Sequence, residues 1–165
     1  MRKIFSITLL IFCLLLVSCG NTAKTAFPDT LDTFIAVFND RAGDTDYALG
    51  ETADADDGTT AVATKNENSF VYCTESDDGT LQKIEVIGSG IFQPGLGSFD
   101  YMAYAVIACD GALDYTAAGD MIASMYYEAY TGGESVVMSY SGMKFSFIKD
   151  NYYCSLTIEP QTDEG

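Results

Sequence analysis

The sequence predicts an α+β domain, with helices packed on an antiparallel sheet in the element order α-ββ-αα-βββ. Three observations carry this. An early stretch places apolar residues at helical spacing. A central block over residues 98–132 carries two further helical patterns. Stretches on either side of that block alternate apolar and polar residues, as half-buried strands do. The domain spans residues 28–160, preceded by a leader over 1–18 and a tether over 19–27, and followed by an acidic tail over 161–165.

The chain opens with Arg2 and Lys3, and residues 4–17 are then almost wholly apolar, broken by Ser6 and Thr8. The run falls short of the roughly 20 residues that span a bilayer and fits the hydrophobic region of a secretory signal. It ends on Leu16-Val17-Ser18-Cys19, with Gly20 and Asn21 directly behind. These residues resemble the lipobox of bacterial lipoproteins. The resemblance implies cleavage before Cys19, a diacylglycerol on its thiol and an acyl chain such as palmitate on the new amino terminus. Two or three chains, at about 0.8 kcal/mol per buried methylene, hold a protein at a membrane. Gly20 stands where the family's inner-membrane retention signal would be aspartate. The implied location is the extracytoplasmic face of a cell membrane or outer membrane. A secretory signal with a fortuitous cysteine and an uncut signal anchor are the alternatives.

Residues 28–30, Pro-Asp-Thr, open the first predicted helix. Leu31, Phe34, Ile35, Phe38 and Ala42 share one face, and Gly43 stops it. An Asp-, Thr-, Ala- and Gly-rich stretch follows and reads as loop, with a short edge strand over 60–64. Residues 69–74 and 81–88 read as strands joined at Asp78-Gly79, a good hairpin turn. Past a glycine-rich loop, Ser98 is expected to cap a buried helix over 99–109. Thr116 is expected to cap another, whose Ala118, Met121, Ile122, Met125, Tyr126 and Ala129 share a face up to Gly132-Gly133. Strands over 135–140 and 143–149 flank Ser141-Gly142. A last strand over 152–158 sets Cys154, Leu156 and Ile158 against Tyr153, Ser155 and Thr157, and Pro160 ends it.

Composition narrows function. The 165-residue chain carries 24 acidic and 8 basic residues, a net charge of −16. Loss of Arg2 and Lys3 with the leader takes this to −18. Such a chain repels nucleic acid and anionic headgroups, and attracts cations or a basic partner. Histidine is absent, which removes the usual general base and the commonest transition-metal ligand. No phosphate-binding or dinucleotide fingerprint is present, and the cysteines lack zinc-site spacing. Aspartates at 44, 46, 54, 56 and 57 suggest calcium, but counting from Asp54 puts Gly58 fifth rather than sixth and Lys65 where glutamate is needed. No cofactor or metal is expected, and the chain reads as a binding protein rather than an enzyme. Cys73 and Cys154 lie in strand-like stretches, which allows either an inter-strand disulfide or buried free thiols.

Tyrosines offer the candidate contacts. Tyr126, Tyr127 and Tyr130 cluster on one predicted helix, and Tyr152-Tyr153 begin the last strand. Exposed tyrosine clusters suit protein, peptide or glycan ligands, although such rings also line cores. Finally, the stretches "FVYCTESDDGTLQKIEV" and "SYSGMKFSF" resemble parts of membrane-bound lysozyme inhibitors, which are also acidic lipoproteins. That resemblance covers about a fifth of the mature chain. It implies Ser141, Gly142 and Phe145 as contacts to a basic cell-wall hydrolase, although residues 99–130 have no place in that family's small β-barrel.

Overall fold

The computed structural model describes residues 27–161, apart from 56, 57, 91, 93, 94, 96 and 134. The leader, Cys19, most of the tether and the last four residues of the tail therefore lie outside the described residues, as do Asp56 and Asp57 of the acidic loop.

Helix α1 (Leu31–Ala42) forms where the apolar stripe predicts it. Thr30 caps it, its hydroxyl accepting from Thr33 N at 3.2 Å, which satisfies one of the free N–H groups of the first turn. Leu31, Phe34, Phe38 and Ala42 are its buried face.

Strands β1 (Thr52–Asp54) and β2 (Thr59–Val62) then form a small hairpin, where the sequence led us to expect one edge strand. β3 (Ser69–Glu75) and β4 (Leu81–Ser89) follow as predicted. Their turn uses Gly79 at φ 82°. Asp78 binds the Ser76 hydroxyl at 2.6 Å and Thr80 N at 3.1 Å. Hydrogen bonds from Ser76 and then Thr80 hold its carboxyl down at a pKa of about 2.

Helices α2 (Ser98–Cys109) and α3 (Tyr115–Gly132) are the inserted pair. Both starts differ from expectation. Ser98 is the first helical residue rather than the cap, because its hydroxyl is committed to Ser69 Oγ at 3.1 Å and Asn68 O at 3.3 Å. Asp114, not Thr116, caps α3, accepting from Ala117 N at 2.8 Å. Among the described residues, no helix is long and apolar enough to cross a membrane.

Strands β5 (Ser135–Tyr140), β6 (Met143–Lys149) and β7 (Tyr153–Pro160) complete the chain. β7 runs through Pro160, which sits opposite Met143 at the strand's last position, where a missing N–H is tolerated.

All seven strands pair antiparallel in the order β1-β2-β3-β4-β7-β6-β5. Register explains the core. One row of partners reads Val62, Val71, Val86, Leu156, Phe147 and Val136 across six strands, and each is buried. Side chains alternate between faces, so the next row reads Phe70, Ile87, Ser155, Ile148 and Ser135 on the opposite face. The helices cover the first face. The second is open to solvent at Phe70, Val137 and Ile148. Phe34, Phe38, Phe99, Tyr101, Phe145 and Phe147 are fully buried in the helix–sheet layer. Burial of side chains of this size contributes on the order of 2–3 kcal/mol each. Cys73, Cys109 and Cys154 are free, buried thiols rather than a disulfide pair.

Candidate functional site

An aromatic cleft opens where α3 crosses the ends of β4, β6 and β7. Tyr126 and Tyr130 lie one turn apart on α3, the spacing that puts two side chains on one helix face. Their rings stack at 6.3 Å between centroids and 24° between planes. Phe92, from the glycine-rich loop after β4, stacks on Tyr126 at 4.9 Å and 25°. Phe99 and Phe147 seat Phe92 from below, edge-on at 5.4 and 5.6 Å. The result is a ladder of three near-parallel rings, anchored in the core at Phe92 and reaching solvent at Tyr130, which is 67% exposed.

The β6–β7 turn supplies the opposite wall. The Lys149 ammonium stands 5.2 Å from the Tyr130 ring centroid, within cation–π range. Asp150 N donates to Tyr153 O at 2.9 Å, closing the turn. The turn presents Asp150, Asn151 and Tyr152 to a space of about 250 Å³. The space is therefore lined by the aromatic side chains Phe92, Tyr126 and Tyr130 together with the turn's amide, carboxylate and ammonium groups.

The tyrosines named from the sequence separate here. Tyr126 and Tyr130 line the cleft with Tyr152 and Tyr153. Tyr127, turned about 100° around the helix from Tyr126, is exposed outside it. Ser141 and Gly142 form a two-residue turn with φ 54° and 74°, the geometry preferred for tight hairpins. That turn lies at the other end of β6, roughly 25 Å from Lys149 at the usual rise per residue. Phe145 is fully buried, between Met138 and Ile158 on the helix-covered face, so it is not available to a partner. Phe92, Lys149 and Asn151 were not legible as site residues, since Phe92 and Asn151 lie in loops without periodicity and Lys149 only ends a predicted strand.

Two other features frame this site. A groove of about 400 Å³ lies at the β1–β3 end of the sheet, among Ala53, Ala61, Ala63, Phe70 and Tyr72. On the helical side, Asp100 is buried in the first turn of α2. Its Oδ1 accepts from the Tyr115 hydroxyl and from Gly95 N at 3.1 Å. Its Oδ2 has no hydrogen-bond partner among the described residues. Burial first, and then the Asp100 carboxylate, push the Tyr47, Tyr104 and Tyr115 hydroxyls above their usual range. Among the described residues, no group of three or more His, Cys, Asp or Glu is placed to hold a metal ion.

The chain matches no known protein family, no curated protein and no solved structure.

Proposed function

We propose that the chain is a lipid-anchored extracytoplasmic bacterial lipoprotein whose domain binds rather than catalyses, with the aromatic cleft holding a segment of glycan. The residues Leu16-Val17-Ser18-Cys19 supply the anchor. The observation that carries the ligand class is the Phe92–Tyr126–Tyr130 ladder facing Lys149, Asp150 and Asn151. A sugar ring has an apolar C–H face and a rim of hydroxyls. The aromatic side chains give the C–H face an apolar wall to pack against, and the turn's amide, carboxylate and ammonium groups accept from or donate to the rim. Among the described residues, Asp150 is the one acid lining the cleft, whereas glycoside hydrolysis uses two carboxyl groups flanking the bond.

The test is a titration of the protein with a panel of neutral and cell-wall-type oligosaccharides, followed by intrinsic tyrosine fluorescence; the chain has no tryptophan to mask it. Binding by one class, lost by at least tenfold in Tyr126→Ala and Tyr130→Ala but kept in Tyr127→Ala, supports the reading. Binding that ignores the first two substitutions, or no binding across the panel, contradicts it.

A second reading is an acidic inhibitor or immunity-type lipoprotein acting on a basic cell-wall hydrolase or toxin. The Ser141-Gly142 turn, exposed at a hairpin tip, and the net charge favour it. Charge complementarity speeds such encounters and makes them salt-sensitive. Capture of a basic hydrolase at low salt and its release at high salt distinguishes this reading.

A further inference from the structure

The two edges of the sheet are built differently. β1, at one end, has three residues, is exposed throughout and ends on Asp54, with Glu51 just before it. Shortness and charge are the usual means of blunting an edge. β5, at the other end, is twice as long and has no charge within the strand, although Glu134 directly precedes it in the sequence. It is six residues long, Ser135-Val136-Val137-Met138-Ser139-Tyr140, and carries no charge and no proline. Its register with β6 runs unbroken over all six positions. Alternate backbone N–H and C=O groups of such a strand point away from its one neighbour. Val137, on the open face, is 63% exposed.

We propose that β5 pairs antiparallel with β5 of a second copy, about a two-fold axis through Val137, joining two seven-stranded sheets into one. The strand's own sequence argues for this occupant. Opposed residues in an antiparallel pair share a face. An axis at Val137 sets Val137 against its counterpart and Ser135 against Ser139 on the open face. On the helix-covered face it sets Val136 against Met138. Apolar meets apolar and hydroxyl meets hydroxyl at each of the five positions 135–139, and Tyr140 has no counterpart within the strand. The apolar row that ends at Val136 continues across the junction into the second copy. Moving the axis to Met138 sets Val136 against Tyr140 and Val137 against Ser139, and the match is lost.

Charge sets the conditions. Two copies of a mature chain, with net charge −18 once Arg2 and Lys3 leave with the leader, repel one another, but the joining strand is uncharged. Salt therefore screens the repulsion without weakening the contact, and dimerisation strengthens with ionic strength. A complex with a basic partner behaves in the opposite way.

The experiment uses the full-length protein extracted from membranes in mild detergent. Val137→Cys is oxidised and compared with Tyr127→Cys, an equally exposed helical position. The expected result is a cross-linked dimer for Val137→Cys, formed several-fold faster than for Tyr127→Cys and faster at high salt. In parallel, sedimentation of the unmodified protein shows a concentration-dependent dimer that Val137→Lys abolishes with an unchanged circular dichroism spectrum. Equal cross-linking at the two positions, a monomer at every concentration and salt, or cross-linking to a different protein would each overturn the second copy as occupant. Should Val137→Lys fail to fold, the cysteine comparison alone decides.

Discussion

The side chain of Ser98 stands where a side chain on Gly88 would be. A Cβ built on Gly88 lies 2.0 Å from Ser98 Cβ and 2.2 Å from its Oγ. The start of α2 is thus seated directly on β4, and Ser98 bonds at the same point to Ser69 of β3. Gly88→Ala forces helix and strand apart where the start of α2 meets the end of β4. Overpacking of this kind costs about 1–3 kcal/mol or more. Chemical denaturation of the two proteins measures it, and an unchanged midpoint contradicts the packing described.

Phe145 separates a core role from a contact role. It is fully buried beneath the helices, and truncation of a buried phenylalanine to alanine costs about 3–5 kcal/mol. Phe145→Ala is expected to lower stability by that amount in a denaturant series. A loss of partner binding at unchanged stability would show instead that Phe145 reaches the surface.

The thiols should be silent in the native state. Burial pushes Cys73 up to a pKa of about 12 and Cys154 to about 11, and it raises Cys109 well above the usual range. Thiolate, the reactive form, is then scarce at pH 8, and the sulfurs are covered as well. Maleimide or Ellman titration is expected to find no fast thiol in the native mature protein and three in denaturant. A rapidly labelled native thiol among these three contradicts their placement.

The Asp100 cluster predicts loss of stability in alkali. Tyr47, Tyr101, Tyr104 and Tyr115 all have raised pKa values, with burial as the first cause. Near and above pH 10 the unfolded chain sheds these protons while the folded chain keeps them. The folded state then binds more protons, and stability falls as pH rises. The contribution is fully present below pH 10 and is lost as pH climbs through the raised values. Tyr115→Phe removes one titrating group and one donor to a buried carboxylate. It is expected to cost about 1–3 kcal/mol at pH 7 and to shallow the alkaline slope. A flat stability profile between pH 9 and 11.5 contradicts the cluster.

Much of the fold was legible because burial is written as periodicity. α1 follows from Leu31, Phe34 and Phe38, and the last three strands follow from alternations such as Met143, Phe145 and Phe147 against Lys144, Ser146 and Ile148. That same alternation marks Phe145 as core, against the resemblance that cast it as a contact. β1 was not legible. Thr52, Ala53 and Asp54 are all exposed, so no pattern betrays them; pairing with β2 makes them a strand. The helix caps moved for tertiary reasons, since Ser98 is held by Ser69 and Asn68. The cleft was half legible. Tyr126 and Tyr130 are visible as helical neighbours. Phe92 comes from a loop without periodicity, and Lys149 meets Tyr130 only once β6 lies beside α3.

The anchor at Cys19 is the premise on which the proposed function rests, and the amino terminus of the native protein tests it most directly. Mass spectrometry of the terminal peptide from membrane-purified protein is predicted to find a chain beginning at Cys19 with a diacylglyceryl thioether and a further acyl chain. An intact leader, or an unmodified cysteine in a protein released to the soluble fraction, would contradict the account.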